Sequence, residues 1–144
     1  MATLAKAPVH LWIVGILALL WNAFGAFDYV MTQIQNAAYL AQFSDADRLY
    51  FDSFPAWAEA AWALGVWGGL LGSLLLLARS RHAEFAFGLS LVGLLVTTIY
   101  QHALSAMPAD LKTGPMVAIN VVIWAVAIGL FVYAHRMRAR GMLR

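Results

Sequence analysis

Long apolar stretches alternate with short polar ones along the whole chain of 144 residues. Four stretches each have close to the ~20 residues that an α-helix needs to cross ~30 Å of hydrocarbon. None shows the alternation of apolar and polar residues typical of a membrane β-barrel strand. Because backbone polar groups in lipid must be satisfied within one segment or by a closed barrel, the pattern predicts transmembrane helices. The predicted spans cover residues 10–30, 55–78, 85–106 and 114–135.

The connections between these spans predict their arrangement. Residues 79–83 and 107–112 form short connections, and short loops make consecutive helices antiparallel. We therefore expect a single domain over residues 1–144, an all-α membrane protein built as an up-down bundle of four transmembrane helices. The start of the first span also fits a secretory signal peptide, with Lys6 before an apolar run and small residues where cleavage would occur, so this alternative stays open.

The first connection, residues 31–54, is too long for a turn. Within it Ser44 and Asp47 have the spacing of a helix N-cap with an acidic residue at the third helical position, and Pro55 suits the first turn of the second span. We expect an amphipathic helix on the membrane interface between spans one and two, as a lid on the bundle or as a simple connector. Its predicted apolar face consists of Phe43, Leu49, Tyr50, Phe51 and Phe54.

Composition narrows the class of protein. Hydrophobic residues make up 63% of the chain and charged residues 11%, against roughly 45–50% and 25% in soluble domains. These values exclude a soluble globular domain and a disordered chain. The absence of cysteine excludes disulfides and thiol chemistry, and a net charge of +2 is too small for a nucleic-acid reader.

Basic residues predict the orientation in the membrane. Seven of the nine Lys and Arg residues fall on the side of the termini and the second connection, and only Arg48 and Lys112 fall on the other side. Because basic residues accumulate on the cytoplasmic side, we expect both termini to be cytoplasmic. The seven are Lys6, Arg79, Arg81, Arg136, Arg138, Arg140 and Arg144.

Glycines in the second span predict close helix packing. Gly65 and Gly69, and likewise Gly68 and Gly72, lie four residues apart, a spacing that lets a neighbouring backbone approach closely. The pattern does not decide whether that neighbour belongs to the same bundle, another protomer or another subunit. The first span carries a comparable stripe of small residues around Asn22, so we expect spans one and two to make the closest contact.

Polar residues cluster in the outer half of the predicted bundle. Counting ~1.5 Å per residue, Asp28, Glu59 and His102 lie within roughly 5 Å of the outer boundary, and Asn120 and Asn22 lie deeper. Ionisable groups in a membrane are expensive unless paired or solvated, so they indicate functional sites. Simple solvation of the two carboxylates and an interhelical hydrogen bond of Asn22 are the alternatives. The predicted ligand-binding residues are Asn22, Asp28, Glu59, Gln101, His102 and Asn120.

Other chemistry has weaker support in the sequence. Asp28, Glu59 and His102 would supply two oxygens and one nitrogen to a metal, but they lack a metal-ligand spacing, so we predict no metal site. A haem or chlorin held by His10 and His135 is a further alternative to our expectation of no cofactor. Since nucleophile elbows and phosphate loops are also missing from the sequence, we predict a protein that is not an enzyme.

Four segments in the first half of the chain resemble the sequences of one protein family. They are similar to small four-span bacterial membrane proteins that are often labelled sugar transporters. The resemblance implies a bacterial inner-membrane protein that binds or transports a small solute at its outer face, and it gives that role to Asn22, Asp28, Pro55 and Trp57. Three-span sugar transporters have a Pro-Gln pair, which this chain lacks. The matching segments are residues 21–32, 36–39, 54–57 and 61–69.

We expect from these observations a non-enzymatic inner-membrane protein with an outward-facing polar vestibule that binds, and in one version transports, a small solute. Its partners would be membrane lipids and further copies of itself, because four helices rarely enclose a complete path for a solute. The alternative is an accessory subunit whose glycine-rich helix faces pack against a larger membrane complex.

Overall fold

A computed structural model describes residues 6–144 of the chain. Most of these residues are helical, with no strand among them, and four of the helices are long and apolar enough to cross a membrane. The predicted all-α class and the four predicted spans are confirmed. The α-helices are α1 (Val9–Gln33), α2 (Ala37–Leu40), α3 (Asp45–Asp52), α4 (Ala56–Leu77), α5 (His82–Ile99) and α6 (Gly114–Ala139).

The long helices extend beyond the apolar stretches that predict them. α1 continues to Gln33 and α6 to Ala139, because helical hydrogen bonding carries on through polar residues that a hydropathy count leaves out. α5 continues into a single π-helical turn, Tyr100–Leu104, and a short 3₁₀ helix, Ala109–Lys112, precedes α6. α2 is a single helical turn capped by Asn36, and the apolar pattern did not predict it.

The helix predicted from Ser44 is present as α3. The Ser44 hydroxyl accepts a hydrogen bond from the Asp47 backbone N–H at 3.2 Å, as the spacing predicted. The apolar face of α3 is divided, since Tyr50 is buried against neighbouring helices and Leu49 is 70% exposed. Pro55 stands one position before the first helical residue of α4.

The closest helix pair is α4 with α5. A Cβ atom placed on Gly93 would lie 2.5 Å from the Ala61 carbonyl oxygen and 2.9 Å from the Gly65 Cα, so only glycine allows this approach. The Ser90 hydroxyl also donates to the Gly65 carbonyl at 2.6 Å. The expectation that spans one and two make the closest contact is therefore wrong, because α5 supplies its own glycine and serine opposite the glycines of α4.

α1 packs against the other side of α4. The Asn22 side-chain amide donates to the Ala18 carbonyl at 2.9 Å and to the Ser73 hydroxyl at 3.1 Å. Ser73 in turn donates to the Gly69 carbonyl at 2.8 Å, and the Asn22 amide occupies the space beside Gly69. These bonds link α1 to α4 near the middle of both helices.

One end of the molecule, here called the tail end, unites the start of α1, the end of α4, the start of α5 and the end of α6. Leu11, Leu76 and Ala134 are fully buried there, together with Phe87. The chain after α6 folds back, so that Leu143 is buried in the same cluster and the Arg144 N–H donates to the Arg79 carbonyl at 2.8 Å. The tail end is closed by main-chain hydrogen bonds over a packed core.

The opposite end, here called the loop end, contains residues 34–55 and 105–113. Aromatic side chains hold it together: Phe54 lies 4.8 Å from Tyr100 and 6.1 Å from Trp62, between ring centroids. The Tyr50 and Ser105 hydroxyls are 2.7 Å apart and form a hydrogen bond. α3 is therefore fastened to α4 and α5 at this end.

Candidate functional site

A cleft opens between α5 and α6 at the loop end. Its volume is about 570 Å³, within the range typical of small-molecule sites. α5 with its π-helical turn forms one wall and α6 the other, and the 3₁₀ helix lies at the mouth. The lining residues are Thr98, His102, Leu111, Lys112, Val117, Asn120, Val121 and Trp124.

The cleft exists because α6 is loosely attached to the other helices over most of its length. Within the most apolar part of α6 no residue is buried by the rest of the described chain. Buried residues of this helix begin at Leu130 and continue through Ala134 and Met137, toward the tail end. The two walls therefore meet at the tail end and separate toward the loop end.

Polar groups in the cleft are left without strong partners by the residues that the structure describes. Lys112 forms no ion pair and no side-chain hydrogen bond among them, and the His102 ring forms none either. The Asn120 side-chain amide reaches only the Met116 carbonyl, at 3.4 Å. Three side chains can therefore donate hydrogen bonds to a molecule in the cleft.

The π-helical turn after α5 contributes His102 to the wall of the cleft. In a regular α-helix Thr98, His102 and Ser105 share one face. Thr98 and His102 keep this face and line the cleft, whereas Ser105 follows the helical turn in extended backbone and its hydroxyl bonds Tyr50. Turns of this kind recur at functional sites in helices.

The structure brings together two of the six predicted ligand-binding residues, His102 and Asn120. Asn22 lies between α1 and α4, where its amide is engaged by Ser73. Gln101 is in the π-helical turn, but it does not line the cleft. The predicted set therefore lies at several places in the bundle.

The two predicted carboxylates lie near α1 and α4. The Tyr39 hydroxyl of α2 donates a hydrogen bond to the Asp28 carboxylate. Burial, followed by this bond and the negative charge of Asp28, raises the pKa of Tyr39 to about 12. Glu59 occupies the first turn of α4 and is half-buried. Asp28 therefore fastens α2 to the end of α1.

The two histidines that could hold a haem or chlorin, His10 and His135, both lie at the tail end. The His10 ring and the Tyr133 hydroxyl lie 2.6 Å apart, and the His135 ring lies 2.9 Å from the Glu84 carboxylate. Each histidine thus has its own side-chain partner. Within residues 6–144 no three His, Asp or Glu side chains converge into a metal-binding group.

Lys112 and Trp124 are among the cleft residues that the sequence did not mark as site residues. In the sequence Lys112 is one of two basic residues on the side opposite the termini, and its position just before the fourth span is a usable signal. Trp124 lies within an apolar run, and nothing in the sequence marks it as facing α5. Its placement depends on the separation of two helices, which local pattern does not encode.

The fold and the cleft together define a helical protein with four segments able to cross a membrane and a mainly apolar opening, with a few polar groups, between two of them. Comparison with protein-family models, with curated proteins and with solved structures found no match.

Proposed function

We propose that this chain is a non-enzymatic integral membrane protein that binds a small solute in the cleft between α5 and α6. One observation carries the proposal. The cleft places His102, Lys112 and Asn120 around one space of suitable volume, and none of the three is satisfied by a strong partner among the described residues. Donors that are at least partly exposed around one space can bond a molecule held between the two helices, so the arrangement supports a ligand site.

The cleft replaces the wider vestibule that the sequence suggested. Asn22 and Asp28 have hydrogen-bonding partners in the fold, so they support the walls of the bundle rather than the ligand. The role that the sugar-transporter resemblance gives these two residues is then structural in this proposal. Transport of the solute across the membrane would require a homodimer or a larger assembly, because the cleft is open on one side.

The membrane orientation is part of the same proposal. The tail end carries most basic residues, among them Arg81, Arg136 and Arg140, which are exposed. The loop end carries only Arg48 and Lys112. By the positive-inside rule the tail end faces the cytoplasm, both termini included, and the cleft opens on the outer half of a bacterial inner membrane in an up-down bundle.

A second candidate function, an accessory subunit of a larger complex, is favoured by a different observation. Gly68 and Gly72 of α4 lie against Ser90 and Phe87 of α5, so these glycines are already covered within the chain. α6 instead has an apolar surface that no described residue covers over its most apolar part. A subunit role would use α6 as its contact surface.

Native mass spectrometry of the protein in particles of its own membrane tests both candidates. We expect a discrete small-molecule adduct on the wild-type protein that is lost from His102→Leu and weakened in Asn120→Leu. His82→Leu is the matched control, because His82 is an exposed histidine at the tail end.

The same spectra separate the outcomes. Identical small-molecule content in wild type, His102→Leu and His82→Leu would rule out binding in the cleft. A larger protein present in fixed stoichiometry, and released by a bulky charged replacement at Val122 on the exposed surface of α6, would establish the accessory-subunit role instead.

A further inference from the structure

The charge of the cleft restricts the chemistry of its ligand. Lys112 and His102 are its only ionisable lining residues, and no carboxylate lines it. Thr113, at the start of α6, donates its hydroxyl to the Asp110 carbonyl and does not cap the helix, so the positive end of the α6 dipole adds to this field. The Asp110 carboxylate belongs to the same 3₁₀ helix but does not line the cleft, so the lining itself favours a negatively charged group.

Below its mouth the cleft becomes apolar. Val117, Val121 and Trp124 follow one face of α6, and the first and last of them are seven residues apart, which is about 10 Å along a helix. Trp124 lies ten residues into α6, at a depth of about 15 Å, close to the middle of a ~30 Å hydrocarbon layer. The length of the cleft therefore matches one leaflet of a bilayer.

The sides of the cleft also indicate the route of entry. The exposed residues of α5 beside the cleft are apolar, with Leu95 49% and Ile99 48% exposed. On α6 the neighbouring Val122 is 46% exposed. A molecule that enters between these helices from the side would leave hydrocarbon and remain in contact with apolar surface along its length.

We propose that the cleft binds one acyl chain carrying an anionic head group, with the head at Lys112 and His102 and the chain along α6 to Trp124. The inference rests on the proposed function and specifies its ligand. A fatty acid, with a carboxylate head, and an anionic phospholipid, with a phosphate head, share this chemistry. Asn120, about 9 Å below the start of α6, would donate to a carbonyl of the ligand.

Tryptophan fluorescence gives a direct readout, because bromine quenches it on contact. The protein is placed in phosphatidylcholine discs, and Trp124 is isolated as the difference between the wild type and Trp124→Phe. Trp67, which is 44% exposed on α4, is isolated in the same way as a matched site outside the cleft. The probes are chain-brominated stearic acid, its methyl ester and chain-brominated phosphatidylglycerol.

We expect the acid or the phosphatidylglycerol to quench Trp124 at about tenfold lower mole fraction than Trp67, as one charge-assisted contact implies. The uncharged methyl ester should quench both sites equally. Lys112→Gln should remove the preference for Trp124, Lys112→Arg should keep it, and Arg140→Gln, a charge loss at the tail end, should not change it. If only one of the two charged probes quenches Trp124 preferentially, the ligand belongs to the class of that probe, a fatty acid or an anionic phospholipid.

Each contrary result overturns a defined part of the proposal. Equal quenching of Trp124 and Trp67 by both charged probes rules out the acyl anion. If the His102-dependent adduct persists in that case, the cleft binds a solute of another class and the proposed function stands. A preference that the methyl ester shares, or that Lys112→Gln retains, rules out recognition of the anionic head.

Discussion

The tail end and the loop end of this bundle are closed by different kinds of contact. At the tail end a packed apolar core is covered by the returning chain, whose Arg144 pairs with Arg79 and Arg81 through backbone hydrogen bonds. At the loop end aromatic rings join α3 to α4 and α5. α6 itself contributes no described residue to that cluster, although the segment that precedes α6 does. The same four helices are therefore packed together at the tail end, whereas α6 stands apart from the others at the loop end.

Charged contacts increase this difference. Glu84 on α5 lies 2.9 Å from both the Arg138 guanidinium and the His135 ring on α6, so the two helices are joined by side chains near the tail end. At the loop end the facing groups on these helices are His102 and Asn120, which do not bond each other in the described chain. The cleft is thus a region where side-chain pairing between α5 and α6 is missing among the described residues, and it is the space in which we propose that a ligand binds.

We expect the largest loss of stability from a substitution at the contact between α4 and α5, because both helices run from the tail end to the loop end. Gly93→Ala would force a methyl group against backbone atoms of Ala61 and Gly65, which cannot rotate away. We expect a loss of about 3 kcal/mol or more in the free energy of unfolding, at the upper end of overpacking effects. Denaturation in mixed micelles measures it.

Gly129→Ala is the matched control for this substitution. A Cβ at Gly129 meets nothing within 4 Å, so this variant should be neutral or slightly stabilised. Equal effects of the two substitutions would contradict the assignment of α4–α5 as the tightest contact.

Leu143→Ala tests the closure of the tail end. Leu143 is 6% exposed and packs in the core cluster, so its truncation should cost about 2 kcal/mol. Hydrogen exchange at the Arg81 and Arg144 N–H groups should accelerate, because the hydrogen bonds that these two groups donate depend on this anchor. Leu104→Ala, at a leucine 65% exposed, should change neither quantity. Unchanged exchange in Leu143→Ala would show that the hydrogen bonds alone close the tail end.

Asn22→Ala tests the region between the two ends. The variant loses the hydrogen bond to Ser73, and interhelical bonds of this type in membranes contribute about 0.6 kcal/mol, with a maximum near 1.7. We expect a loss of about 1 kcal/mol, with the quenching of Trp124 by brominated probes unaltered. A double-mutant cycle with Ser73→Ala measures the coupling. Loss of the quenching preference in a folded Asn22→Ala protein would return Asn22 to the ligand site.

The smallest effect concerns the Tyr39 phenol, which joins α2 to α1. Its pKa is raised from 10.0 to about 12, so the protonated phenol stabilises the folded state fully below pH 10. This contribution is lost as the pH rises through about 12, where the phenol ionises beside the Asp28 carboxylate. The phenolate absorbance of the wild type minus Tyr39→Phe measures the titration. A midpoint at the ordinary value of 10.0 would contradict the bond to Asp28.

The sequence predicted elements more reliably than contacts between elements. The four spans and the helix capped by Ser44 followed from hydropathy and from the spacing of Ser44 and Asp47, both of which act within a few residues. The closest helix pair was predicted wrongly because Gly93, on the third span, was not considered as a partner for Gly65. A stripe of small residues shows that a helix can pack closely, but not which neighbour it meets.

For the candidate site, the sequence indicated the types of residue and the structure determined their grouping. Depth along each span singled out His102 and Asn120 together with Asn22 and Asp28, because depth depends only on counting residues from a boundary. Rotation about each helix axis depends on packing, and Ser105 leaves the face that it shares by periodicity with Thr98 and His102 because the π-helical turn ends at Leu104.

The sequence by itself determined an all-helical chain with four segments able to cross a membrane, since apolar length and backbone hydrogen bonding are local properties. Only the tertiary structure decided that one end is closed and the other open. That outcome depends on where Leu143 and Glu84 meet partners far along the chain, and on the absence of such a pairing between His102 and Asn120. Such contacts depend on how whole helices pack, which cannot be read from any one of them.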